Sequence, residues 1–229
     1  PDNSCYTCDP AKDQQDWTYR GDRFDLGNGS VCWDHAVCQV KTCEDLDRQC
    51  GSGFDDECGG TLDCGTCSET QFCTSDYHCI DVWDDLSTGL EWQVTPLDTS
   101  FDWDAAMDYC KSLGEGWALP TISQLRSLIR GCPGTETNGA CYLTDSCLMQ
   151  TCANAPCDGC AGGKGPGPNG FYGPLELETP GSVYWSSSSV EGEKNKAWTI
   201  FFYTGGMISS PKGNYYSARC VRLIIPNNP

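Results

Sequence analysis

The chain has few histidines, little positive charge and no long apolar run. Only 2 histidines occur among 229 residues, so candidates for a general base or for imidazole ligands of a metal centre are scarce. The 14 Lys and Arg residues are outnumbered by 32 Asp and Glu residues, and the formal net charge of -18 disfavours nucleic acid and anionic membranes as partners. No stretch approaches the roughly 18 apolar residues of a membrane span, so we expect no transmembrane segment.

Cysteine, by contrast, is abundant, and the chain contains 19 of them. So many cysteines favour disulfides, and therefore an extracellular or cell-surface location. The pairs Cys5 with Cys8 and Cys64 with Cys67 have the spacing of a four-thiolate zinc site. The many neighbouring cysteines favour disulfides at these positions too, so we predict no metal centre and no cofactor. Because the count is odd, one thiol must stay free, bind something, or pair with another molecule.

The cysteines also divide the chain, since eleven precede residue 80 and eight follow it. Residues 1–82 have too few aliphatic side chains for an ordinary core, so disulfides must supply the missing stability. The Gly- and Asp-rich run over 38–79 resembles a small cysteine-rich module of bacterial secreted proteins, a resemblance that implies no activity. We predict an N-terminal arm over 1–37, a disulfide module with little regular structure over 38–82, and a mixed domain over 83–229.

The arm contains three cysteines that cannot pair completely among themselves, and we regard them as candidates for an intermolecular disulfide: Cys5, Cys8 and Cys32. It also carries aromatic side chains that would need burial: Trp17, Tyr19, Phe24 and Trp33. Alternating stretches here favour one or two strands. If the arm docked on a second copy of the chain, the contact would be heterologous and would generate a head-to-tail polymer.

Residues 83–229 have the pattern of an α+β domain with two helices and an antiparallel sheet. Asp102 precedes a helical run from Trp103 to Leu113, and Thr121 with Gln124 forms a capping box for a second, short helix. Strands are predicted at 90–94, 197–203, 207–210 and 217–225, and Thr204-Gly205-Gly206 is a hairpin turn between the middle two.

Four blocks in this half carry a family resemblance: DLSTGLEWQ, WDAAMDYCKSLGEGWALPTISQLRSLIRGC, YWSSSSVEGEKNKAWTIFFYTGGMI and SARCVRL. Over about residues 82–225 they resemble the collagen-like adhesin C-terminal (Lcl C-terminal) domain family. The resemblance implies a C-type-lectin-like or formylglycine-generating-enzyme-like fold and a disulfide from the first helix to the last strand, between Cys110 and Cys220. The six other cysteines would then form three bonds within a long loop, with 15 pairings open. A stapled loop of this length is either a recognition surface or a plug for the fold.

Catalytic machinery is not visible in the sequence. His35 and His78 both lie in the cysteine-rich half, and the serines at 186–189 have no histidine nearby. The paired C-terminal cysteines of formylglycine-generating enzymes are absent, since only Cys220 lies there. We therefore expect a non-enzymatic adhesive or structural protein that assembles with other copies of itself through the arm. The alternative is an adhesin module that binds surface polysaccharide or a host or matrix polymer.

Carboxylates near the start of the mixed domain could hold calcium, as carboxylates do in many lectin-like domains. The candidates are Asp81, Asp84, Asp85, Asp102 and Asp104. The favoured interpretation is a solvated acidic face together with a helix cap.

Overall fold

A computed structural model describes residues 6–8, 17–19, 22–27, 29–34, 36–178 and 183–224. The chain forms two compact units, one of residues 1–69 and 76–79 and the other of residues 70–75 and 80–229. Two α-helices and several antiparallel sheets confirm the predicted α+β class. Among the described helices, none combines the length and the apolar character that a bilayer crossing demands.

The first unit is built from short antiparallel strands. β1 (Tyr6–Cys8) pairs with β2 (Trp17–Tyr19), and a three-stranded sheet contains β3 (Asp25–Gly27), β4 (Ser30–Trp33) and β5 (Ala36–Gln39). A separate hairpin contains β6 (Ser52–Asp55) and β7 (Thr61–Asp63). β5 runs across residue 37, where the sequence suggested that the arm ends and the module begins.

Disulfides hold the described part of this unit together, as its lack of aliphatic residues predicted. They link Cys38 with Cys58, Cys43 with Cys64, and Cys67 with Cys79. Cys64 and Cys67 therefore belong to different disulfides, and neither sulfur is a thiolate that could bind zinc.

A buried aspartate links the arm to the module. Asp56 is only 1% exposed, and its Oδ1 accepts hydrogen bonds from the backbone N–H groups of Cys58 and Gly60 at 2.9 and 2.7 Å. Its Oδ2 lies 2.7 Å from Nη1 of Arg23. Burial alone would raise the pKa of Asp56, but these hydrogen bonds and the Arg23 charge outweigh it and hold the pKa below its ordinary value.

The second unit contains two antiparallel sheets. The first has the order β14 (Val221–Leu223), β10 (Leu90–Gln93), β9 (Cys79–Asp85) and β8 (Gln71–Cys73). The second is formed by β11 (Val183–Ser189), β12 (Lys196–Phe201) and β13 (Gly206–Pro211). The predicted hairpin around Thr204 to Gly206 joins β12 to β13, with Gly205 at a φ of +69°. β14 is shorter than predicted because residues just before it, such as Ser217, make only isolated bridges.

Both predicted helices are present, with the predicted caps. α1 (Trp103–Ser112) begins after Asp102, whose side chain accepts the N–H of Ala105 at 2.9 Å. α2 (Ile122–Arg126) begins with a complete capping box between Thr121 and Gln124. Both helices bury an apolar face, as their helical spacing predicted.

The core of this unit has two parts. One surrounds the buried side chains of Trp92, Leu125, Trp198 and Phe202. The other lies beneath α1 and contains the disulfide between Cys110 and Cys220, the pairing that the family resemblance implied. Both sulfur-bearing residues are fully buried.

The long loop is closed by three nested disulfides, which confirms that its six cysteines pair among themselves. The outermost bond joins Cys132 to Cys160, the next Cys141 to Cys157, and the innermost Cys147 to Cys152.

Arg126 of α2 is buried beside this loop and organises its backbone. Its Nε lies 2.8 Å from the carbonyl oxygen of Thr135, its Nη1 3.1 Å from that of Leu143, and its Nη2 2.7 Å from that of Glu136. Burial lowers the pKa of the guanidinium. Irregular backbone leaves carbonyls unpaired, and this side chain supplies their donors.

Removal of the Cys110–Cys220 bond should destabilise the second unit far more than removal of an innermost loop bond. The two cysteines are 110 residues apart, and chain entropy then predicts a loss of about 4.8 kcal/mol for Cys110→Ala with Cys220→Ala. The matched control is Cys147→Ala with Cys152→Ala, whose separation of 5 residues predicts about 2 kcal/mol. Urea unfolding of both double variants measures the difference, and equal losses would contradict the assignment.

The stability of the first unit should depend on the ionisation of Asp56. Because the folded pKa lies below the ordinary value of 3.8, the carboxylate stabilises the fold fully above about pH 4, and this contribution is lost as the pH falls through the folded pKa. Wild type should therefore exceed Asp56→Asn in unfolding free energy at pH 7, and the gap should narrow below pH 4. A gap that is constant from pH 7 to pH 2 would refute this role.

Candidate functional site

The structure changes the set of candidate cysteines in the arm. Every cysteine from Cys32 onward is in a disulfide, so Cys32 is not available as an intermolecular cysteine and that part of the prediction needs correction. Cys5 lies outside the described residues, and for Cys8 only the backbone in β1 is described. Because the number of cysteines is odd, one remains without a partner in the same chain, and this must be Cys5 or Cys8.

The aromatic residues of the arm are only partly placed. Trp17 and Tyr19 begin and end β2, but their side chains lie outside the described residues. Phe24 and Trp33 are 42% and 37% exposed. The ring of Trp33 lies directly over Gly59, where a Cβ atom would clash with it, so part of the Trp33 side chain is covered within its own unit.

The proposed calcium ligands do not converge. The side chain of Asp102 caps α1, and Asp81 accepts a hydrogen bond from Gln71 at 2.9 Å. Asp84 and Asp104 are exposed. Within the ranges that the structure describes, no three carboxylates place their oxygens close enough together to share an ion. Asp85 is different from the rest, because it is buried and lines a cavity.

That cavity has a volume of 340 Å³ and lies at the end of β9. Its lining combines an aromatic ring, two carboxylates, one arginine and small apolar surfaces, contributed by Trp83, Asp85, Arg130, Pro166, Gly173, Pro174, Leu175 and Glu176. A second cavity, of 350 Å³, also has Arg130 in its lining and is otherwise lined mainly by the start of the stapled loop. We refer to the first cavity as the Asp85 pocket.

Strand geometry explains why Trp83 and Asp85 meet in this pocket. Side chains two residues apart on a strand point to the same face, and Asp84 between them is exposed. β9 ends at Asp85 because the chain turns there, and the carbonyl of Asp85 accepts the N–H groups of Thr88 and Gly89 at 3.1 and 2.9 Å.

Only one oxygen of the Asp85 carboxylate is satisfied. Oδ1 accepts the N–H of Ser87 at 3.0 Å and its hydroxyl at 2.5 Å. Oδ2 is buried and has no hydrogen-bond partner. Burial alone raises the pKa of Asp85, but the Ser87 hydrogen bonds, the nearby Thr88 hydroxyl and the charge of Arg130 outweigh it, so the pKa lies below its ordinary value. The group is therefore an ionised, half-satisfied acceptor at neutral pH.

Arg130 supplies the positive charge of the pocket. It follows α2, and its backbone N–H donates to the carbonyl of Tyr172 at 3.2 Å. The described hydrogen bonds of its side chain use Nη1 alone, which donates to the carbonyls of Ser127 and Ile129. Nε and Nη2 make no hydrogen bond to a described residue.

The rim segment over 173–176 has no regular structure, yet it is anchored at both ends. Before it, the N–H of Tyr172 donates to the carbonyl of Phe202 at 2.8 Å. After it, Leu177 is buried in the core, and the carbonyl of Glu178 accepts a hydrogen bond from the buried Arg219. Arg219 also donates to the carbonyl of Val94 at 2.7 Å, and so ties the rim to the chain that follows β10. Burial lowers the pKa of Arg219, against the opposing influence of Tyr184 and Glu178.

The sequence analysis included Asp85 among carboxylates expected on a solvated face, whereas Asp85 is buried. It missed Trp83, Arg130 and Glu176 as partners. The i, i+2 spacing of Trp83 and Asp85 was a usable signal once a strand was placed there. No local pattern relates either residue to Arg130 or Glu176, which lie far along the chain.

Comparison with known proteins supports the resemblance. The family model of the Lcl C-terminal domain matches residues 81–222, which is more than half of the chain and includes Trp83, Asp85, Arg130, Cys110 and Cys220. A search of curated proteins finds no match. The family occurs in collagen-like adhesins, and together with the many disulfides this indicates an extracellular protein. The chain therefore belongs to the Lcl C-terminal domain family.

Proposed function

We propose that this chain is a non-enzymatic extracellular adhesion protein whose second unit binds a surface polysaccharide or a host or matrix polymer. The observation that carries the proposal is the Asp85 pocket, which offers hydrogen-bond acceptors, a donor and an aromatic surface beside a loop held by three disulfides. Such a surface is preorganised, so binding costs little ordering of the protein. Membership in an adhesin-associated family supports the same function.

The lining of the pocket favours recognition over catalysis. Asp85 is committed to Ser87 through Oδ1, and the serines of β11 serve structural roles: Ser186, for example, donates to the carbonyl of Trp198 at 2.6 Å. Hydrolysis through a serine or cysteine nucleophile would require that side chain beside a base. The residues that line the Asp85 pocket include no serine, cysteine or histidine.

The charge of the chain predicts which polymers it prefers. A net charge of -18 repels sulfated and other polyanionic chains at low ionic strength. Neutral polymers experience no such repulsion, and they match a pocket that presents both donors and acceptors.

Adhesion can be tested with the full chain coupled to beads. We expect retention on at least one neutral polysaccharide among dextran, mannan and galactan, in preference to heparin, with little change between 50 mM and 500 mM salt because the contact is not a long-range charge effect. The control is the same chain reduced and alkylated, which should lose retention as the stapled loop unfolds. If neither these polymers nor collagen or fibronectin retained the native chain above this control, adhesion would be excluded.

A second function, self-assembly through the arm, is favoured by the odd cysteine count. Since every cysteine from Cys32 onward is paired, a covalent link to a second copy would use Cys5 or Cys8. The exposed Phe24, Trp33 and Val37 of the same region would contribute apolar contact area.

Intact mass under non-reducing conditions tests the covalent form of this assembly. We expect a covalent dimer that collapses to the monomer on reduction, because one unpaired cysteine forms one intermolecular disulfide, and that disappears in one of the two variants Cys5→Ser and Cys8→Ser. A native monomer that takes up one equivalent of iodoacetamide without prior reduction would show instead that the remaining thiol is free.

A further inference from the structure

We propose that the Asp85 pocket is a binding subsite for a single uncharged sugar residue, with Trp83 as its stacking surface and Asp85 as its principal hydrogen-bond acceptor. The inference rests on the proposed adhesive function and names the ligand class of its site.

The first argument is the unsatisfied oxygen. Asp85 is 4% exposed, and its Oδ2 is buried without a partner. A buried charged acceptor without a donor is costly, so an atom in this position calls for a hydrogen-bond donor. Asp85 lines the pocket while its Oδ2 is closed to solvent, so a small donor such as a hydroxyl group reaches this oxygen with an adjustment of the lining.

The second argument is the mixture of donors and acceptors. Asp85 and Glu176 can only accept hydrogen bonds when ionised, whereas Arg130 can only donate. A ligand ammonium group has donors alone, so it would satisfy Asp85 and Glu176 but could accept no hydrogen bond from Arg130. A sulfate or carboxylate has acceptors alone and would be repelled by Asp85 and Glu176. Hydroxyl groups both donate and accept, so a ligand with several hydroxyl groups matches all three side chains.

The third argument is the apolar surface. Trp83 is half-buried and packs against the core on one side, while its remaining surface lines the pocket. Pro174 and Leu175 line the pocket as well, and Leu175 is 72% exposed. A pyranose ring has hydroxyl groups at its edge and C–H groups on its face, and so fits an aromatic ring beside polar groups. The volume of 340 Å³ accommodates one such ring.

The size of the pocket also limits what it achieves alone. One sugar residue at an open site binds weakly, so attachment to a surface would require many copies of the ligand along a polymer. Repeating polysaccharides supply them, which connects this subsite with adhesion.

The test uses the full chain and the variants Asp85→Asn and Asp84→Asn. Asp85→Asn keeps the shape of the side chain but removes its charge and replaces one carboxylate oxygen with an NH2 donor. It should weaken binding to dextran, mannan or galactan by about tenfold or more, as expected when a hydrogen bond to a charged group is lost. Asp84→Asn makes the same charge change on the exposed face of the same strand and should remain within about twofold of wild type. Free glucose, mannose or galactose should compete for the retained polymer.

A second variant covers the case in which Asp85→Asn fails to fold. Glu176 is exposed on the rim, so Glu176→Gln should leave the unfolding midpoint unchanged while weakening binding by about threefold to tenfold. The thermal midpoint of every variant is measured beside its affinity, so that loss of fold is not taken for loss of ligand.

The outcomes separate the site from the function. Retention on a neutral polymer that is equal in wild type, Asp85→Asn and Glu176→Gln would overturn the subsite and leave adhesion standing. Retention only on heparin, collagen or fibronectin would have the same consequence. No retention on any of these polymers would overturn both proposals. Selective loss in the two pocket variants, with Asp84→Asn unaffected and a neutral monosaccharide competing, is the result expected.

Discussion

The disulfide between Cys110 and Cys220 is the constraint on which the second unit depends. It joins a helix near the beginning of this unit to the segment that enters its last strand, 110 residues later. Both residues are fully buried in a cluster with Trp185 and Ala218. The chain between them contributes α2, the stapled loop and β11 to β13 to the core, and the covalent bond closes this long segment at its two ends.

Disulfides and buried arginines stabilise irregular segments of this chain that in other proteins a larger apolar core would stabilise. The nested bonds from Cys132 to Cys160 restrict the loop in the unfolded chain. Arg126 and Arg219, both nearly inaccessible, donate to the carbonyls of irregular segments that no ladder satisfies. In a chain with only 14 basic residues, the burial of two of them shows that positive charge is used here to organise backbone.

This architecture also accounts for the Asp85 pocket. Its walls come from the end of β9, from Arg130 in the segment after α2, and from a rim without secondary structure. Each of these is fixed by contacts outside the pocket, such as the burial of Leu177 and the Arg219 hydrogen bond to Glu178. A rigid frame can hold the half-satisfied carboxylate of Asp85 in place, because its cost is offset by packing elsewhere. Contacts outside the pocket therefore hold its lining in place.

The sequence alone determined the features that depend on neighbours along the chain and on composition. These include the α+β class, both helices with their caps at Asp102 and Thr121, the β12 to β13 hairpin and the reliance on disulfides. Helix periodicity and capping are local properties, so they are legible in the order of residues. The Cys110–Cys220 bond was accessible through the family resemblance, although not through spacing.

Contacts between groups that are distant in the chain became known from the folded structure. It selected one of 15 loop pairings, showed that Cys32 is already bonded, and placed Arg130 and Glu176 beside Asp85. Of the candidate site, the sequence analysis therefore identified only Asp85, and it grouped this residue with other carboxylates instead of with Arg130 and Glu176. The reason is physical: a pairing or a pocket depends on distances through space between residues far apart in the chain, and composition, periodicity and spacing carry no record of those distances.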